Sequence, residues 1–342
     1  MQLVLKHLRK IFAVLAIAFL TTSCASYFLP SLEKTPWEIL NLPTDSTLTD
    51  VAFTNNLNHG WLVGSDSTLM ETTDGGQTWK QRSLDLGDQR YVFTSVSFSG
   101  QEGWVTGQPN ILLHTEDGGQ TWLRVPLNSK LPGAPIIVSA LGPDTAELST
   151  DIGAIYRTKD GGRNWKALIL SAPTVEGAIG AVRNLTRSAD GQYVAVSSRG
   201  SFYSTWKPGE ATWTPHNRET SRKLQNMGFA KDGKLWLIAR GGQIQFGASD
   251  DFEDWTDPIN PESATSWGFL DMDYRTPDEI WVSGGGGTLL GSYDGGQTWF
   301  KDRTVEDVPS NLYRIVFVTP DKGFIFGQRG AVLRYVGPSK TA

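Results

Sequence analysis

The chain has 342 residues, 20% of them charged, with a formal net charge of −5. Its single cysteine excludes an internal disulfide framework, and its four histidines are scattered, which argues against a zinc site. The acidic balance excludes a general nucleic-acid binder.

Lys6, Arg9 and Lys10 precede the apolar run IFAVLAIAFL (11–20), which is too short to span a bilayer as a helix. This is the pattern of a signal peptide, expected over 1–23. Cys24 follows at the position where bacterial lipoproteins receive lipid after cleavage. The usual lipobox has Leu three residues before the Cys, whereas here that place holds Thr21. Two readings stay open: a protein anchored through lipid at Cys24 by a tether over 24–35, or an ordinary exported protein with an incidental Cys. No other stretch is apolar enough to cross a membrane. Removing the three leader cations takes the charge of 24–342 to −8.

From Trp37 onward the chain repeats itself. A tryptophan recurs at 79, 122, 165, 213, 255 and 299, spaced by 43, 43, 48, 42 and 44 residues. Before each tryptophan come three short apolar runs separated by turn residues, such as SVSF (95–98), GWVTG (103–107) and ILLHT (111–115), and a fourth run carries the tryptophan. Four strands per unit of about 40–50 residues is the signature of a β-propeller blade. The final unit supplies only LYRIVFV (312–318), GFIFG (323–327) and AVLRYV (331–336) before the chain runs out of strands. Trp37 lies 42 residues before Trp79, so 36–42 is expected to complete that last blade and close the ring. Closure removes the exposed sheet edges that recruit other chains. The expectation is an all-β, seven-bladed propeller over 36–338. Its blades fall near 47–84, 91–127, 134–170, 178–218, 222–260, 265–304 and 310–336 with 36–42, and 339–342 is left as a tail.

The turn before the tryptophan reads TTDGGQTW (72–79), TEDGGQTW (115–122), TKDGGRNW (158–165) and SYDGGQTW (292–299). Asp can hydrogen-bond its own turn, and Gly accepts positive φ without steric cost. The motif resembles the Asp-box, or BNR repeat, of sialidases and other propellers. Asp74, Asp117, Asp160 and Asp294, with Trp79, Trp122, Trp165 and Trp299, are therefore read as folding devices. Asp-boxes mark one face, and function is expected on the other, where the turns after second strands lie.

Those second turns include SSRG (197–200), ARGG (239–242) and GQRG (327–330). They place Arg199, Arg240 and Arg329 on that face. First-strand starts and crossing loops add Arg183, Arg218, Arg222 and Arg314, whereas Arg187 falls toward the far end of its strand. From 183 to 240 there are ten Lys and Arg against four Asp and Glu. Six of the ten are Arg, the residue suited to planar recognition of carboxylates. The bland alternative is a set of solvated guanidinium heads and ion pairs between blades.

A sialidase-like or two-carboxylate glycoside hydrolase is a weaker reading. A nucleophilic Tyr with a Glu partner is missing, and YRIV (313–316) lacks the proline of the sialidase start. Asp271 and Asp273 share a strand face but are expected to border a turn. A carbohydrate-binding propeller would need tryptophan platforms that the blade ladder already uses. No cofactor and no metal are expected.

The stretch GAVRNLTRSADGQYVAVSSRGSFYSTWKPGEATWTPHNRETSRKLQNMGFA (180–230), continued by LWLIARGGQIQF (235–246), resembles the photosystem II stability/assembly factor family of cyanobacteria and plastids. The resemblance implies a non-enzymatic, monomeric, seven-bladed propeller in the thylakoid lumen, held to the thylakoid membrane by lipid at Cys24. It implies binding to the newly made reaction-centre subunit, the PsbA precursor, and to early reaction-centre assembly intermediates, during assembly and repair. It also implies that Arg183, Arg187, Arg199, Arg218, Arg222 and Arg240 form the client-binding patch, with Arg314 and Arg329 as further residues of that face.

Overall fold

The computed structural model describes residues 29–169, 179–217, 222–261 and 268–337. Seven antiparallel sheets are arranged around a central axis, and six of them run from an inner to an outer strand in sequence order. Blade one is Leu48–Phe53, Gly60–Gly64, Leu69–Thr72 and Lys80–Gln81. Middle strands such as Gly60–Gly64 and Tyr193–Ser197 are buried along their whole length, because each is covered by a blade on either side. Blade five is the irregular one. Beyond Gln243–Phe246 its outer edge is met only at Ile259 and Trp255, where the Asp-box has decayed.

Trp37–Asn41 is the outermost strand of blade seven, antiparallel to Ala331–Tyr335, with Trp37 opposite Tyr335. The chain before it is strapped to blade six. Lys301 N–H donates to Pro30 O, Leu32 N–H donates to Lys301 O, and the Arg303 guanidinium reaches Ser31 Oγ at 2.6 Å. The ring is thus closed by hydrogen bonds between the two ends of the chain.

The core lies between blades. Trp122 meets Trp61 of the preceding blade edge-on at 5.5 Å, and Trp165 meets Trp104 at 6.0 Å. Trp255 meets Tyr203 at 6.0 Å, and Trp37 meets Trp281 at 5.4 Å. Trp213 instead donates its indole N–H to Gly153 O of the blade before. Truncating such a buried indole costs about 3–5 kcal/mol, so the tryptophan repeat is a repeat of inter-blade anchors.

The Asp-box turn explains the letters around each tryptophan. In the second box, Thr121 N–H and Oγ1 donate to the two Asp117 oxygens, and Thr115 Oγ1 donates to Oδ1. Gly119 N–H returns to Thr115 Oγ1. Burial alone would raise the Asp117 carboxyl, but these donors outweigh it and hold it at about 2. Gly119 has φ +92, and a Cβ there would lie 2.3 Å from the Trp61 ring. Only glycine meets both demands.

Candidate functional site

The two faces of the ring are distinguished by their turns. Asp-box glycines 75, 118, 161 and 295 donate to the turn that joins the first two strands of their own blade. Turns after second strands instead bond the lead-in to inner strands: Ser198 N–H to Ala181 O, Arg240 N–H to Lys223 O, and Gly330 N–H to Ser46 O.

On this second face, blades four and five bring arginines together around the start of the inner strand Leu224–Phe229. Arg183 Nη1 donates to Leu224 O at 3.2 Å and to Gln225 Oε1 at 3.0 Å. Leu224 N–H donates to Gly200 O, which sets the Arg199 turn against the same residue. Arg222 bonds Asn260 Oδ1 at 3.2 Å, and its guanidinium lies over Gly241, the neighbour of Arg240. All four arginines are exposed. Among the described residues, the Arg199 and Arg240 side chains have no acidic partner. Arg218 and Cys24 lie outside the described residues. Arg329 is exposed on the same face but in blade seven, in the left-handed region at φ +54.

Arg187 is not brought to this group. At the other end of its strand, its side chain is 14% exposed and donates to Glu147 Oε2 at 2.8 Å. Glu147 also accepts from Arg157 and from Tyr193 Oη, tying blade three to blade four. Burial raises the Glu147 carboxyl, but the two guanidinium donors overcome this and leave it below the ordinary glutamate range. Nothing in the sequence signals this buried cluster, because Glu147 stands in an unremarkable strand 40 residues from its partner.

Arg314 is likewise placed by electrostatics. It lines the axial channel from blade seven, with Nε 3.9 Å from Asp271 Oδ2 of blade six. Desolvation lowers the Arg314 pKa, but Asp271, Asp50 and Asp273 outweigh that. The expectation that Asp271 and Asp273 border a turn is corrected: both sit within the inner strand Phe269–Tyr274. Their carboxylates accept the backbone N–H groups of Ile315 and Phe317 in the next blade, at 3.0 and 2.6 Å. Inner strands of adjacent blades do not form a backbone ladder with one another, so side chains supply the acceptors. Asp50 does the same for Val96 N–H. Burial pushes the Asp271 carboxyl up to about 6.

A cavity of about 510 Å³ follows the axis, lined from blades one to four by Thr49, Asp50, Thr94, Ile136 and Arg183, with Arg314 from blade seven. No group of three or more potential metal ligands occurs among the described residues. Every described tryptophan is buried or half-buried.

Fold and surface define a seven-bladed Asp-box propeller with an open arginine patch on one face. The sequence model of the family described as "Photosynthesis system II assembly factor YCF48" matches residues 29–336. The "Photosystem II assembly lipoprotein Ycf48" of Trichormus variabilis is 58% identical over 334 residues, covering 98% of this chain and 96% of that protein. The Synechocystis protein of the same name is 58% identical over 330 residues, covering 96% and 94%. A solved structure described as "YCF48 bound to D1 peptide" superposes with a TM-score of 0.87 at 54% identity, covering 91% of this chain and all of that one. "YCF48 from Cyanidioschyzon merolae" gives 0.81 at 39% identity, covering 88% and 98%. The chain belongs to the Ycf48 family of photosystem II assembly factors.

Proposed function

We propose that this protein is a non-enzymatic photosystem II assembly and repair factor that binds newly made D1, the PsbA precursor, through its arginine face. In this reading it is anchored to the thylakoid membrane by lipid at Cys24, after removal of 1–23, and faces the lumen. The observation that carries the site is the convergence of Arg183, Arg199, Arg222 and Arg240 on the stretch 222–225. Arg218 is assigned to the same patch from the sequence.

Guanidinium groups suit this task. Their planar donors grip carboxylates in pairs and also reach peptide carbonyls. A rigid ring holds them in place without loss of backbone freedom on binding. A tether through Cys24 would confine the patch near membrane-inserted clients and raise their effective concentration. Catalysis is not assigned, because the inner-strand carboxylates Asp271 and Asp273 are engaged as acceptors between blades.

The test is affinity capture from detergent-solubilised thylakoids with wild type and an Arg199→Glu/Arg240→Glu variant of unchanged Tm. Wild type should retain D1-containing early complexes and the variant should lose them. Loss of at least tenfold is expected, since one charge-assisted hydrogen bond contributes about 1.5–3 kcal/mol. Equal retention by both proteins would move the client site off this face.

A further inference from the structure

All seven inner strands carry one extra residue immediately after their first or second pair, the same register shift repeated around the ring. Bulges re-aim side chains and occur beside functional sites. In blades one to four the extra residues are Thr49, Thr94, Ile136 and Arg183, and all four line the axial cavity. The lining also takes in Gln108, the last residue of the second strand Glu102–Gln108, and Asp151 in the turn after Thr145–Thr150, so the cavity opens on the face that carries the arginine patch. Its volume of about 510 Å³ falls within the roughly 300–1,000 Å³ of ligand sites.

Arg183 belongs to both features. Its Nη1 is fixed by Leu224 O and Gln225 Oε1. Its Nε and Nη2 have no protein partner among the described residues, so the guanidinium is held by one nitrogen and presents its other donors. The acids of the lining are already occupied: Asp50 accepts from Val96 N–H and Asp151 from Ala134 N–H, at 3.1 and 2.9 Å. Arg314 offsets Asp50 electrostatically. Arg187, which lines the far end, is committed to Glu147.

We propose that the axial cavity is a second subsite for the client, taking one carboxylate of an extended peptide whose neighbouring residues lie across the arginine patch. The carboxylate is either an Asp or Glu side chain or the chain terminus, and it meets the free edge of Arg183 at the cavity mouth. The proposal rests on the arginine face being the client site.

The test uses synthetic peptides tiling the lumenal segments of the PsbA precursor, with dissociation constants measured against the 24–342 protein. Thr94→Trp plugs the cavity from blade two while leaving the residues of blades four and five unaltered, and Ile136→Trp plugs it from blade three should the first variant fail to fold. A folded plug variant should bind the best peptide at least tenfold more weakly. Neutralising one carboxylate of that peptide should weaken wild type equally and cost little more in the plugged protein. Loss on amidating the C-terminus assigns the chain terminus, and loss on a single Asp→Asn or Glu→Gln exchange assigns a side chain. Plugged protein binding within twofold of wild type, while Arg199→Glu/Arg240→Glu still abolishes binding, overturns the subsite and leaves the client face standing. Failure of every peptide to bind wild type overturns both.

Discussion

Arg187 and Arg199 are both arginines of blade four, and the structure predicts opposite consequences for replacing them. Arg187→Gln removes a charge-assisted hydrogen bond of 2.8 Å to Glu147, whose side chain is 1% exposed. Such bonds contribute about 1.5–3 kcal/mol. It also removes a guanidinium 5.8 Å from the Tyr193 ring centroid, a contact contributing about 0.5–1 kcal/mol. Arg157 and Tyr193 still hold Glu147, so the carboxylate is not stranded and the expected loss is about 2–4 kcal/mol. For a chain of this size that lowers Tm by roughly 3–6 °C. Arg199→Gln removes a side chain with no partner among the described residues and should shift stability by no more than about 0.5 kcal/mol. Calorimetric Tm and client-peptide affinity, measured on both variants, separate the roles. Arg187→Gln should lose stability and keep binding, while Arg199→Gln should do the reverse. An unchanged Tm for Arg187→Gln, with binding lost as in Arg199→Gln, would refute the assignment of Arg187 to the blade junction.

Two further outcomes follow from the carboxylates. Asp74 and Asp117 are held at about 2 against an ordinary 3.8, the turn donors outweighing burial. Their native pKa is lowered, so their contribution is present above 3.8 and is lost as pH falls toward 2. A wild-type stability profile should therefore drop across that window more steeply than that of an Asp74→Asn/Asp117→Asn variant, and parallel profiles would contradict it. Arg314→Ala leaves Asp271, Asp50 and Asp273 without their shared cation. Their native pKa values, already raised by burial, should rise further, so the folded protein prefers them protonated. The variant should lose more Tm at pH 8 than at pH 5, and an equal loss at both would mean that Arg314 acts through packing alone.

The face on which Arg199, Arg240 and Arg329 lie was legible in the sequence because strand order alternates turns between two faces. What joins them was not. The hydrogen bonds that place Arg183 and Arg199 around Leu224 cross from one blade to the next. Arg187 illustrates the limit. Four residues from Arg183 in the same strand, it reaches the opposite end of the blade, where Glu147 claims it. Strand periodicity places a residue along the strand but does not name its partner across the blade boundary. The same gap hid Asp271 and Asp273. They looked like turn residues, because a carboxylate inside an inner strand makes sense only once Ile315 and Phe317 of the next blade are seen to need acceptors.

The sequence by itself determined the repeat, the blade count and the closing strand. Each of these depends on local signals: period-two apolar runs, Asp-Gly-Gly turns, and tryptophans at a constant spacing. Each motif also carries its own reason. Gly119 must be glycine both for its φ and for the indole of Trp61 against it. Only the tertiary structure decided which arginines stand open and which are paired, and that a cavity along the axis meets the arginine face at Arg183. The pairings between blades join segments tens of residues apart, such as Arg183 with Leu224 and Arg187 with Glu147, and their free energy is set by burial and distance across blades, which no local pattern records.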